Sequence, residues 1–177
     1  MDSKSNRIFF FKLDLSYWNV PKIVEYCIQN DDVDRAMIQV RLEKVSNKWK
    51  AMDPKAESYI QERFAKSILE TFIAVDCPGA SSTRNPAKIF LLELDMYARH
   101  ELEKIPDLRA WYNPRGLPED LCLFSTKSSA PSFTSVTHDS DGFIVSSKYI
   151  EIPHAKYFPS TRKDMHIEGD YFFCTRI

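Results

Sequence analysis

An α+β fold, with two long packed amphipathic helices beside an antiparallel C-terminal sheet, is predicted by three features of the sequence. Apolar residues recur at spacings of three and four between Asp53 and Ile105, short strand-like runs fill the chain after Asp120, and another alternating run stands near the N-terminus. With 177 residues, of which 44% are hydrophobic, one core is expected, and residues 1–177 are read as a single domain.

The N-terminal run, Ile8 to Leu15, sets Lys12 and Asp14 against Phe11, Leu13 and Leu15, the alternation of a strand with one face on a core; it is expected to complete the C-terminal sheet. Asn19 followed by Pro21 marks a helix start, and Ile23, Val24, Cys27 and Ile28 form its apolar face until Asn30. Ile38 to Glu43 alternates again and reads as a strand. Asp53-Pro54 is a cap followed by a proline at the first helical position, where the missing N–H costs nothing. From there Ile60, Phe64, Ile68 and Phe72 repeat every four residues, predicting a long helix that ends at Cys77-Pro78-Gly79. Asn85-Pro86 repeats the cap signal before Leu91, Leu94, Ala98, Leu102 and Ile105, predicting a second long helix packed on the first.

Pro106 to Asp120 has no period and reads as a long ordered loop. Beyond it Leu121–Phe124, Ser132–Thr137, Phe143–Ser147, Lys148–Ile152 and Tyr171–Ile177 read as short strands, with Asp139 to Gly142 as a hairpin turn.

Composition narrows the function classes. Net charge is −1 with both signs interspersed, so a general grip on nucleic acid is not indicated. Four glycines against ten prolines disfavour a glycine-rich phosphate loop, and neither a serine nucleophile elbow nor a paired cysteine metal spacing occurs. The apolar run after Arg7 is too short for a signal-peptide core and no stretch is long enough to span a membrane, so a cytoplasmic location is expected. Cys27, Cys77, Cys122 and Cys174 stand far apart in largely apolar surroundings and read as buried free thiols.

Two functional readings follow. In the first, the protein binds another protein as a regulator or inhibitor. Arg109, Trp111, Tyr112 and Arg115 concentrate the residue types that dominate interfaces in one loop, Leu108 to Arg115. Tyr17, Trp18, Trp49, Tyr149, Tyr157 and Phe158 also fall in loops or at strand ends, and some are expected at the surface. In the second, it is a small hydrolase, with or without a metal. His138 beside Asp139 offers an imidazole whose tautomer a carboxylate fixes. His166, Glu168 and Asp170 alternate onto one face if extended and suit a divalent ion. The motifs name no cofactor.

Overall fold

The computed structural model describes residues 9–75, 86–105, 107–108, 120–128, 131–136, 141–158 and 175–176. Helix α1, Val20–Asp31, begins where Asn19 accepts a hydrogen bond from the backbone of Lys22 (3.0 Å), with Pro21 in the first turn, and stops at Asp32, which turns left-handed at φ 51°. Helix α2, Pro54–Phe64, begins at Asp53, whose carboxylate accepts from the backbone of Lys55 (2.9 Å). Helix α3, Met96–Glu103, is capped by Asp95, which accepts from the backbone of Ala98 (2.8 Å) and from the hydroxyl of Ser67 (2.7 Å).

The two long helices expected between Asp53 and Ile105 are not present. α2 ends at Phe64, and Ile68–Val75 is strand β4; Ala87–Glu93 is strand β5, leaving α3 only the last stretch. The first error has a simple cause. The stripe joins two elements by coincidence: Ile60 and Phe64 share a face of α2, whereas Ile68 and Phe72 belong to β4, where a bulge between Ile68 and Glu70 turns them to opposite faces. The β-branched Thr71, Ile73 and Val75 decide for strand. In β5 the unbroken Ile89-Phe90-Leu91-Leu92 belongs to a strand buried on both faces, a pattern that mimics a helical stripe.

The sheet dominates the molecule. Its remaining strands are β1 (Phe9–Leu13), β2 (Arg35–Val45), β3 (Lys48–Ala51), β6 (Leu121–Phe124), β7 (Phe133–Val136), β8 (Asp141–Ser146), β9 (Ala155–Phe158) and β10 (Thr175–Arg176). The order is β10-β4-β5-β2-β6-β7-β8-β1-β9, antiparallel at every junction. β1 therefore sits between two strands from the far end of the chain. β3 pairs only with the outer part of β2, in a ribbon whose turn residues Ser46 (φ 50°) and Asn47 (φ 62°) have the positive φ values a two-residue hairpin needs. Lys148–Ile152, expected as a strand, is instead the connection between β8 and β9. Of the expected strand Tyr171–Ile177, the described part is β10.

Register sorts the side chains into two layers. Ile38, Phe90, Leu92, Leu121, Leu123, Phe133, Ile144 and Phe11 point to one face, where they pack with Ile23, Val24 and Cys27 of α1, Ile60 and Phe64 of α2, and Ala98 and Leu102 of α3. Met37, Ile89, Leu91, Cys122 and Phe124 point to the other and form a separate buried cluster. Cys27 and Cys122 are free and fully buried, and burial raises the pKa of both thiols, so neither is a ready nucleophile. Cys77 and Cys174 lie outside the described residues.

Candidate functional site

The face that carries the helices does not end where the helices end. Along β1 and β9 it continues as a group of four aromatic rings. Phe11 lies directly opposite Tyr157 in the β1/β9 register, Phe9 is two residues along on the same face, and Tyr149 folds over them from the connection between β8 and β9. Ring centroids are 5.8 Å apart for Phe11 and Tyr149, 6.1 Å for Phe11 and Tyr157, and 5.8 Å for Tyr149 and Tyr157, in tilted and edge-on arrangements that aromatic pairs prefer. Phe11 is buried at the bottom of the group, whereas Tyr149 and Tyr157 are 62% and 47% exposed. Beside them lies a cavity of about 450 Å³ lined by Phe11, Tyr149, Glu151, Ile152, Ala155 and Tyr157, among others.

The connection that shapes this cavity is fastened at its far end. The indole N–H of Trp18 donates to the carbonyl of Pro153 (2.8 Å), and the backbone N–H of Asp14 donates to the carbonyl of His154 (2.9 Å). The ring of His154 stacks on Tyr17 with centroids 3.9 Å apart, and the Lys22 ammonium stands 3.8 Å from the Tyr17 centroid. His154 takes a left-handed conformation, φ 54°, unusual for a residue with a side chain and held here by these contacts.

The Asp14 to His154 bond also sets the orientation of the backbone in β9. Hydrogen-bonded and non-hydrogen-bonded pairs alternate along an antiparallel ladder. Since Asp14 pairs with His154 by a hydrogen bond, the Lys12/Lys156 pair is of the same kind, and Phe11/Tyr157 between Lys12/Lys156 and Phe10/Phe158 is not. The N–H and C=O of Tyr157 consequently point away from β1. Among the described residues no strand pairs with that side of β9, which ends the sheet. Lys156 projects from the opposite face and is exposed.

Among its described lining residues the cavity has one carboxylate, Glu151, and two phenols, with no imidazole, thiol or amine to move a proton or attack a bond. What it offers is aromatic area with polar tips, next to strand groups that can accept and donate main-chain hydrogen bonds.

A second concavity of about 500 Å³ lies at the base of the β2/β3 ribbon, lined by Trp49, Met52, Ile73, Glu57 and Lys88 among others. Its Glu57 and Lys88 form an ion pair with each other, which leaves less charge to recognise a ligand.

The catalytic, metal-ligating and loop residues expected from sequence lie outside the described residues: Arg109, Trp111, Tyr112 and Arg115 of the aromatic loop, the His138/Asp139 pair, and His166, Glu168 and Asp170. Among the described residues no group of three or more histidine, cysteine, aspartate and glutamate side chains gathers as a metal site would require. The expected surface aromatics divide. Trp18 is buried, and Tyr17, Trp49, Tyr149 and Tyr157 are exposed. The sequence shows Tyr149 and Tyr157 as separate aromatics, because nothing local marks Ala155–Phe158 as the strand that presents Tyr157 opposite Phe11. No family model, curated protein or solved structure matches the chain.

Proposed function

We propose that the protein is a cytoplasmic binding module that holds an extended segment of another protein along β9, with apolar side chains laid against Tyr149 and Tyr157. The observation that carries this reading is the half-exposed aromatic group beside an outward-turned strand edge. Strand addition of this kind draws affinity from main-chain hydrogen bonds and specificity from pockets that receive alternate side chains. A regulatory or inhibitor-like role follows where the captured segment belongs to the partner's own working surface. The loop of Arg109, Trp111, Tyr112 and Arg115 is retained as a second contact with the same partner. The hydrolase alternative, on His138, Asp139, His166, Glu168 and Asp170, draws no support from the described residues.

Selection of a random-peptide display library on the immobilised protein tests the reading. Enriched peptides are expected to lose about tenfold or more in affinity on Tyr149→Ala and on Tyr157→Ala, as truncation of an aromatic anchor does. Enrichment that is indifferent to both substitutions overturns it.

No helix among the described residues is long and apolar enough to cross a membrane.

A further inference from the structure

We propose that the β2/β3 ribbon binds single-stranded nucleic acid, with a base stacked on Trp49 and the phosphates held by the lysines around it. The site is separate from the one proposed above, since β6, β7, β8 and β1 stand between β2 and β9.

Pairing gathers what the sequence disperses. Between Arg41 and Lys55 stand five cations, Arg41, Lys44, Lys48, Lys50 and Lys55, against two carboxylates, Glu43 and Asp53, a local net charge of +3 in a chain whose total is −1. The even mixture of signs along the whole chain, which argues against a general grip on nucleic acid, conceals this patch. The turn at Ser46 and Asn47 folds Lys48 and Lys50 back beside Lys44. Lys44, Lys48, Lys50 and Lys55 are all exposed, and none makes an ion pair among the described residues, even though Glu43 lies opposite Lys50 in register.

The ring is as open as the charges. Every residue from Glu43 to Lys50 is exposed, so this part of the ribbon is wetted on both faces. Trp49 is 39% exposed and belongs to neither buried cluster; among the described residues its indole stacks on no ring, carries no cation and donates no hydrogen bond. The Met52 N–H donates to the Arg41 carbonyl (2.9 Å), and pairs alternate along the ladder. Lys44 and Trp49 are therefore a non-hydrogen-bonded pair, the kind in which side chains lie closer. Lys50 joins Trp49 in lining the concavity at the base of the ribbon, with Met52, Pro54 and Ile73 as apolar neighbours. A flat ring thus meets an open aromatic platform with cations on either side of it.

Charge and ring together select the ligand class. An acidic protein segment matches the lysines alone, whereas every nucleotide brings a phosphate and a π-face at once. A duplex keeps those faces in its stack, which favours a single strand. A membrane surface fits less well, because the turn that would enter it first, Ser46-Asn47, is polar.

Fluorescence anisotropy of a labelled thymidine oligonucleotide of about 12 nucleotides, with the full chain at about 50 mM salt, tests the proposal. Binding is expected to weaken about twenty- to fiftyfold at about 200 mM salt, the dependence for counterion release from three or four phosphates of a single strand. Trp49→Ala is expected to weaken it about tenfold, and Trp49→Phe to retain most of the affinity. Lys48→Gln and Lys50→Gln are each expected to lower the slope of log affinity against log salt by about 0.7. All three side chains are exposed, so the variants are expected to fold, and an unchanged urea midpoint verifies it.

No binding at about 50 mM salt, equal or tighter binding of a duplex of the same length, or binding indifferent to Trp49→Ala overturns the proposal. So does displacement of the oligonucleotide by polyglutamate at equal charge concentration, which marks a site for any polyanion, and so does a preference for phosphatidylserine vesicles. β9 takes no part in these measurements, so their failure leaves segment capture at β9 standing.

Discussion

The centre of the sheet and its β9 end use the same helix-bearing face and treat it in opposite ways. At the centre, Ile38, Phe90 and Leu123 are covered by helices, and the reverse face holds a second buried cluster around Met37, Leu91 and Cys122. At the end, Phe11 lies under Tyr149 and Tyr157, both about half open to water, and the reverse face carries Lys12 and Lys156. Burial on both faces makes a strand a structural member. Burial on one face, beside an edge unpaired among the described residues, leaves aromatic surface open to water.

Substitutions of graded effect probe this contrast. The largest loss is expected for Phe90→Ala at the centre, about 3–5 kcal/mol by urea denaturation, since deleting a fully buried ring forfeits its transfer free energy and leaves a cavity. Tyr157→Ala is its counterpart at the end. A similar cost there would make the end part of the core and dissolve the contrast.

Ser135→Ala ranks next. The buried Ser135 hydroxyl accepts the backbone N–H of Leu121 (2.8 Å), tying β7 to the start of β6, and its loss strands a buried donor at about 1–3 kcal/mol.

Asp95→Ala should cost about 1 kcal/mol through loss of the α3 cap. The same carboxylate gives a pH signature. Burial pushes the pKa of Asp95 up, but hydrogen bonds from Ala98, Ser67 and Tyr97 and the charge of Arg99 outweigh it, so the folded value is lowered. Asp34 behaves alike, with burial outweighed by Thr126 and Arg35. A depressed carboxylate contributes stability above its unfolded pKa and loses it as pH falls through the folded one. The unfolding midpoint should therefore hold down to about pH 5 and decline below about pH 4, less steeply in Asp95→Asn.

Thr134→Val is expected to change stability in the other direction, by up to about 1 kcal/mol. The buried Thr134 hydroxyl has no hydrogen-bond partner among the described residues, and a methyl group of similar size removes that cost.

The smallest effect on stability is expected for Tyr149→Ala, under about 1 kcal/mol because its side chain is largely exposed, even as it weakens binding at the proposed site by about tenfold or more.

The parts legible in the sequence were those decided by local chemistry. Asn19 with Pro21 and Asp53 with Pro54 marked helix starts because a cap and a proline act within one turn. The alternation in Phe9–Leu13 and the hairpin strands around Phe133 and Phe143 were visible for the same reason. Long-range pairing decided the rest. Ile89 to Leu92 became a strand because β2 and β4 flank it, information absent from the run itself. The aromatic group was illegible for a related reason, since Phe11, Tyr149 and Tyr157 come together through pairing of segments more than a hundred residues apart.

The placement of β1 between β8 and β9 also orders events during synthesis. Phe9-Phe10-Phe11 is translated more than a hundred residues before its partners near Ile144 and Tyr157. At about 5–20 residues per second, that is a wait on the order of ten seconds in which an apolar, phenylalanine-rich strand has no native partner. The end of the sheet that carries the proposed binding edge cannot assemble until Tyr157 has been made.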